Sequence, residues 1–241
     1  MYAKVYILDL GTNITDTSVL LAGKGMGEII DIPVFGIFID HPQAKIVVDT
    51  GVNDLNSPGA RNWKHKHSDK QTVVEQLKLH GVTVEGINYV ISTHLHYDHA
   101  GNNHLFPNAR IIVRREELEK AYVPITPGDI AYYREDFDRP LNYDLIPNGL
   151  DFELVDGVYV LSTPGHTAGS QSVLVKTTDG NVLYPGDAVY TFENWEQDIL
   201  PGICYSGQQQ WATMAKLKRI RDVILLPGHE PNLDLTRAYG V

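Results

Sequence analysis

Four ligand-type side chains fall within six residues in His94-Leu95-His96-Tyr97-Asp98-His99. The run follows an apolar stretch, Tyr89-Val90-Ile91, that ends in the polar pair Ser92-Thr93. In an extended backbone alternate side chains share a face, so His94 and His96 reach the same point. Asp98 and His99 come where the chain must turn, and Gly101 permits the turn. Such a set serves one metal ion or two neighbouring ones. Neutral imidazole and carboxylate suit zinc, iron, manganese or cobalt. A lone His-x-His is usually a chance pair on a surface loop. His-x-His-x-Asp-His directly after a buried strand is not.

Three further stretches share one form. Thr163-Pro164-Gly165-His166, Tyr184-Pro185-Gly186-Asp187 and Leu226-Pro227-Gly228-His229 each close an apolar strand with Pro-Gly and then present a ligand. Pro and Gly stop the hydrogen-bond ladder and turn the chain, which places the ligand at the sheet edge. Three repeats of strand, Pro-Gly and ligand are expected to converge on one site.

With these residues in hand, the sequence resembles the metallo-β-lactamase superfamily, in which a His-x-His-x-Asp-His motif is followed by a distal His, Asp and His. The match runs from Val47-Val48-Asp49-Thr50-Gly51 to His229. The resemblance implies an α/β fold, a four-layer αββα sandwich with the metals at one edge. It implies that His94, His96 and His166 hold one divalent ion. Asp98, His99 and His229 would hold a second, Asp187 would bridge, and Asp49 would steady the site without being a ligand. Zinc is the expected metal, although iron, manganese or cobalt fits the same set. Five neutral His and two Asp leave two divalent ions and a bridging hydroxide at a net charge of roughly +1, which suits lowering the pKa of water and polarising a carbonyl.

Within that superfamily, glyoxalase II relatives carry an extra C-terminal helical domain, and here 12 residues follow His229. Ribonuclease relatives need a basic surface. Redox di-iron relatives replace the second motif His with Glu. The sequence looks most like the N-acyl homoserine lactone hydrolases and their neighbours, such as pyridoxolactonases. Tyr190, three positions after Asp187, and the stretches Pro140-Leu141-Asn142-Tyr143 and Lys4–Asp9 carry that likeness. The expected reaction is lactone opening by a metal-bound hydroxide. Tyr190 would donate to the oxyanion, and Asp98 would carry the proton to the leaving oxygen. Alternatives with the same metal site are another lactone, a phosphoester, a thioester or an amide. A metal-binding protein without turnover is the reading from a different class.

The elements that position these residues read as short strands. They are expected at Val5–Leu8, Val34–Ile39, Ile46–Val48, Tyr89–Ile91, Ile111–Val113, Val158–Leu161, Ser172–Val175, Val182–Tyr184 and Val223–Leu226. Ser68 is expected to cap a helix carrying Val73, Val74 and Leu77, with Gly81 ending it. Residues 115–122 read as a short charged helix. Trp211, Met214, Leu217 and Ile220 form an i+3 stripe, read as core, on a helix starting near Gly207. Strands with interspersed helices suit layered sheets, and 1–241 is read as one domain. The segment 123–150, rich in Pro and Tyr, is expected to be a lid, a dimer contact or an ordinary packed excursion.

A net charge of -10 weighs against nucleic acid as a partner. The expected partner is a small-molecule lactone, with a homodimer open. The apolar runs fall short of the ~20 residues that span a bilayer, so no membrane role is expected. The first residues do not read as a signal peptide. The one cysteine, Cys204, excludes an intramolecular disulfide, and a cytoplasmic protein is the expectation. Cys204 is expected to be buried or to line the pocket. Phe192, Trp195, Ile203 and Tyr205 are candidates for an acyl groove or for core. His41, His65, His67, His80 and His104 lie outside the strand-end pattern, and the pair His65 and His67 is expected at the surface.

Overall fold

The computed structural model describes every residue except Thr126, and for Pro127 and Gly128 the backbone alone. Its strands are β1 (Lys4–Asp16), β2 (Ile29–His41), β3 (Ala44–Val48), β4 (Tyr89–Ile91), β5 (Arg110–Arg114), β6 (Tyr143–Ile146), β7 (Phe152–Val155), β8 (Val158–Ser162), β9 (Gln171–Thr177), β10 (Gly180–Tyr184), β11 (Val223–Leu225) and β12 (Ala238–Tyr239). Its helices are α1 (Thr17–Leu20), α2 (Pro58–Asn62), α3 (Val73–Lys78), α4 (Tyr97–Ala100), α5 (Arg115–Tyr122), α6 (Arg134–Phe137), α7 (Phe192–Gln197) and α8 (Gly207–Leu217). One sheet runs β12-β1-β2-β3-β4-β5-β6, and the other β11-β10-β9-β8-β7.

Side-chain alternation sorts the strands into layers. Ile37 and Ile39 of β2, Ile46 and Val48 of β3, and Ile91 of β4 pack against Val160, Val173, Val175 and Val182 of the other sheet. The intervening residues, Phe38, Val47 and Val90, face the opposite way onto Val73 and Leu77 of α3. On the far side of the second sheet, Leu161 and Leu183 meet Leu217 of α8. Helix, sheet, sheet and helix therefore stack as the αββα sandwich. Both faces of each sheet are covered, so these strands carry near-continuous apolar residues.

Direction matters for the site. β8 and β9 are antiparallel, β9 and β10 are antiparallel, and β10 and β11 are parallel. β8, β10 and β11 thus share one direction, and their C-terminal ends lie at one edge. β3, β4 and β5 are parallel in the first sheet.

Several sequence expectations change. β1 and β2 span 13 residues each, because β1 continues past Asp9 through an irregularity between Asp9 and Thr12. Polar Thr12, Asn13 and Thr15 hide that continuation. β6, β7 and β12 were not expected, and β6 lies inside 123–150. α3 is capped by Thr72, whose hydroxyl accepts from the Glu75 N–H, while Ser68 bonds Gln71 instead. Thr72 adjoins the first apolar residue of the helix and Ser68 does not. Trp211 is 53% exposed, while Met214 and Leu217 are buried. Three-residue steps fall short of a full turn by about 60°, so an i+3 series walks around the helix. Among the described residues, no helix is long and apolar enough to cross a membrane.

Candidate metal centre

β4, β8, β10 and β11 all end at the site, and each hands over to a ligand turn. After β4, His96 is the N-cap of the single-turn helix α4, which brings Asp98 and His99 back beside His94. Gly186 lets the Asp187 turn lie against this one: a Cβ there would come within 2.8 Å of the Thr93 Cβ. Its φ of 55° lies in the left-handed region that glycine tolerates.

The seven side chains form two buried groups. His94, His96, His166 and Asp187 make one, and Asp98, His99 and His229 the other. In the first, His94 Nε2 and His166 Nε2 lie 3.0 and 3.1 Å from His96 Nδ1. Asp187 stands between the groups and divides its oxygens. Its Oδ2 is 3.7 Å from His94 Nε2 and 3.3 Å from His166 Nε2. Its Oδ1 is 3.2 Å from both His99 Nε2 and His229 Nε2. Four donors around a zinc ion lie about 3.3–3.4 Å from one another. The spacings here bracket that figure. His99 Nε2 and Asp187 Oδ1, which both face into the site, are buried without a hydrogen-bond partner among the described residues. Burial makes such orphans costly, and divalent cations would satisfy them.

The outward nitrogens of His166, His229 and His99 are held. His166 Nδ1 lies 3.0 Å from the Ile203 carbonyl and His229 Nδ1 2.8 Å from that of Pro33. Each therefore donates outward and turns a bare Nε2 inward. His99 Nδ1 meets Asp49 Oδ2 at 2.8 Å, and the same carboxylate accepts from the Thr93 N–H and hydroxyl and from Tyr184. Asp49 thus braces His99 from behind. Burial and the neighbouring imidazoles push His94 and His96 well below the ordinary histidine range. Burial disfavours charge on His99 and His229 too, but the facing carboxylates, Asp187 and Asp98 with Asp49 beside His99, together outweigh it and raise both. Burial would raise Asp187, yet His99 and His229 hold it well below the usual carboxylate range. The carboxylate-rich side draws positive charge and the imidazole-rich side offers lone pairs, which is the donor chemistry divalent ions need.

Above the two groups lies a cavity of about 290 Å³. Val19, Leu20, Ile32, Trp63, Ile130 and Ile203 wall it, and among the described residues no Lys or Arg lines it. Tyr190 borders it beside Asp187. Its hydroxyl lies 3.4 Å from His166 Nδ1, and burial with Asp187 raises its pKa well above 10, so it stays a neutral donor. Ile203 and half-buried Cys204 line the cavity. The other groove candidates do not. Trp195 packs on the outer face of the second sheet, and Phe192 and Tyr205 are exposed.

Three positions that carry no motif support the ligands. Glu117, fully buried on α5, accepts from the N–H groups of Leu95 and Gly169 and from the Tyr132 hydroxyl. It ties the His94–His96 turn to the His166 turn. The Tyr132 ring packs edge-on to His96, centroids 4.7 Å apart. Asn13 of β1 donates from Nδ2 to Asp98 Oδ2 at 2.9 Å. His65 is buried, not at the surface, because its ring reaches inward to Asn13. Only the His-x-His spacing of His65 and His67 signalled it.

Fold and site agree with the comparisons. The chain belongs to the metallo-beta-lactamase superfamily, whose sequence pattern matches residues 30–229. With its two buried His/Asp groups it is a metal-dependent hydrolase. It is 34% identical to an N-acyl homoserine lactonase of a Bacillus species, over 92% of this chain and 88% of that one. It is 32% identical to the N-acyl homoserine lactonase AttM of Rhizobium radiobacter, over 95% and 94%. A Phe-to-Trp variant of Bacillus thuringiensis AiiA, with N-decanoyl-L-homoserine at its active site, superposes with a TM-score of 0.86 at 32% identity, covering 95% and 94%. An N-acyl homoserine lactone hydrolase with N-hexanoyl-L-homoserine at its catalytic metal center gives 0.85, with the same identity and coverage.

Proposed function

We propose that this protein opens the ring of N-acyl homoserine lactones. The observation that carries the reading is the cavity: apolar walls, no lining cation among the described residues, and a floor of two His/Asp groups with Tyr190. A homoserine lactone is uncharged and bears an apolar acyl tail. Away from the metal floor, no Lys or Arg among the described lining residues would pair with the charge of a β-lactam carboxylate or a phosphodiester, which would enter at a desolvation cost. The lactonase relatives support the same substrate class.

His94, His96 and His166 would hold one ion and Asp98, His99 and His229 the other, with Asp187 serving both. Zinc is the proposed metal, with iron, manganese or cobalt accepted by the same donors. When bound, the ions supply a water that loses its proton readily and an electrophile for the carbonyl oxygen. Tyr190 donates its hydroxyl proton toward the oxygen on which charge develops. Asp98 takes the proton of the attacking water and returns it to the departing ring oxygen. The apolar walls keep bulk water from the ester. Residues 1–241 act as one domain. Within 123–150, Ile130 and Ala131 wall the cavity, which favours a lid over a dimer contact. A cytoplasmic location rests on the single Cys204, which needs no oxidising compartment.

The test is turnover by the metal-loaded protein on homoserine lactones of short and long acyl chain, a δ-lactone, paraoxon and a chromogenic cephalosporin. Ring opening of the homoserine lactones without cephalosporin hydrolysis is expected. Turnover of paraoxon or cephalosporin with none of the lactones refutes the reading.

A further inference from the structure

The segment between β3 and α3 reaches the site from outside the ligand turns. Gly59 packs on Tyr97, where a Cβ would come within 2.7 Å of the ring. Trp63 stacks on the same ring, centroids 6.1 Å apart and planes 13° from parallel. Thr12 and Lys66 exchange two backbone hydrogen bonds of 2.8 Å, closing the segment onto β1. Gly11, at φ 114°, makes room, since a Cβ there would meet the Lys66 carbonyl at 2.5 Å. This closure sets His65 beside Asn13. His65 Nδ1 lies 2.8 Å from Asn13 Oδ1, and Asn13 Nδ2 donates to Asp98 Oδ2 at 2.9 Å. His67 Nδ1 lies 3.1 Å from His65 Nε2.

Chemistry fixes the direction of each link. An ionised carboxylate only accepts, so Asn13 turns its NH2 to Asp98 and its oxygen to His65. His65 therefore carries its proton on Nδ1 and accepts from His67 at Nε2. Burial, with His67 adding to it, pushes His65 down to about 4, which keeps it a neutral imidazole at neutral pH. Asn13, His65 and Asp98 are all buried, so water does not compete for these bonds.

We propose that Asn13, oriented by His65, is a positioning residue that fixes the rotation of the Asp98 carboxylate. The proposal rests on the lactonase reading for its kinetic consequence. Asn13 also borders the cavity, whereas the His65 ring lies outside its lining and reaches Asp98 through Asn13. Releasing Asp98 leaves the cavity walls in place, so the loss falls on kcat and KM changes little.

The experiment compares Asn13→Ala, His65→Leu, His65→Asn and the double variant Asn13→Ala/His65→Leu. An Asn at 65 can present its NH2 near the place of the imidazole Nδ1. Asn13→Ala and His65→Leu are expected to lower kcat about 10–100-fold, the range for partners that orient metal ligands. His65→Asn restores most of it. The double variant is no slower than Asn13→Ala, because both changes cut one chain. A second readout needs no turnover. In the cobalt-loaded protein at full metal content, the visible spectrum shifts in Asn13→Ala and His65→Leu and stays in place in His65→Asn. Additive kinetic losses, or cobalt spectra that coincide in all forms, overturn the proposal. Should the parent protein open no lactone, the lactonase reading fails and the spectra alone decide the positioning. Should Asn13→Ala not fold, the two His65 variants carry the comparison.

Discussion

Replacing Glu117 with Ala tests how the ligand turns are held. The carboxylate has no exposed surface and accepts from Leu95 N–H at 2.9 Å, Gly169 N–H at 3.0 Å and the Tyr132 hydroxyl at 2.9 Å. Its removal orphans two buried backbone donors, each costing about 1–3 kcal/mol. Relief of burying the carboxylate, whose pKa burial raises, offsets part of that. A net loss of about 2–4 kcal/mol is expected. For a chain of this size that lowers Tm by roughly 4–16 °C. Leu95 sits between the two His of the motif, and Gly169 follows His166 closely. Metal affinity is therefore expected to fall about 10–100-fold as well. Thermal unfolding of the metal-free protein reads the first effect, and competition with a chromophoric chelator reads the second. Glu117→Gln keeps the shape and one acceptor, and should lose less on both. Full metal affinity beside a lowered Tm would reduce Glu117 to packing. An unchanged Tm would refute the accounting of orphaned donors.

Other outcomes follow from the same geometry. Tyr190→Phe is expected to lower kcat about 100-fold or more with KM little changed, as for loss of one oxyanion donor; a wild-type rate removes the hydroxyl from the reaction. Asp187→Asn takes charge from both groups at once, so dialysed protein should hold less metal than the parent by elemental analysis. Full retention would sink the bridging role. Burial, with Glu135 adding to it, pushes Asp136 up to about 7. Its folded-state pKa thus exceeds the ordinary unfolded value of about 4. The stability this gives is complete below about pH 4 and is lost as pH rises through about 7. Asp136→Asn should flatten that slope, with a higher urea midpoint than the parent at pH 8 and little difference at pH 5. Equal midpoints at pH 8 would count against it.

What could be read before the structure was local. A strand, a Pro-Gly stop and a ligand stand next to one another in the chain, so His166, Asp187 and His229 announced themselves. Tyr190, three positions after Asp187, was marked only by the resemblance to the lactonases. Asn13 was out of reach, because its role exists only once residues 65–67 close onto β1, some 50 positions away. His65 was misplaced for a related reason: its charged neighbours describe the loop's outer side, and burial depends on where that loop lands. Glu117 lay in a short charged helix whose composition says surface, yet Gly169 packs against it so closely that its carboxylate is sealed in. β6 and β7 are four-residue strands, and they pair as neighbours of longer ones rather than on any strong pattern of their own.

Each metal-binding group takes members from both sheets. His94 and His96 leave β4 in one, whereas His166 and Asp187 leave β8 and β10 in the other; Asp98 and His99 likewise meet His229 beyond β11. Bound ions would rivet the two sheets along an edge that apolar contacts and a few hydrogen bonds, such as those from Tyr184 to Asp49 and from the Gln171 N–H to the Thr93 carbonyl, otherwise hold. Riveting of this kind adds stability in step with supply, about 2.7 kcal/mol when free metal stands at 100 times its dissociation constant. Starved of metal, the seam would be the first place to gape and the first a protease would find. The protein's lifetime in the cell would then gauge metal availability, apart from any lactone it meets.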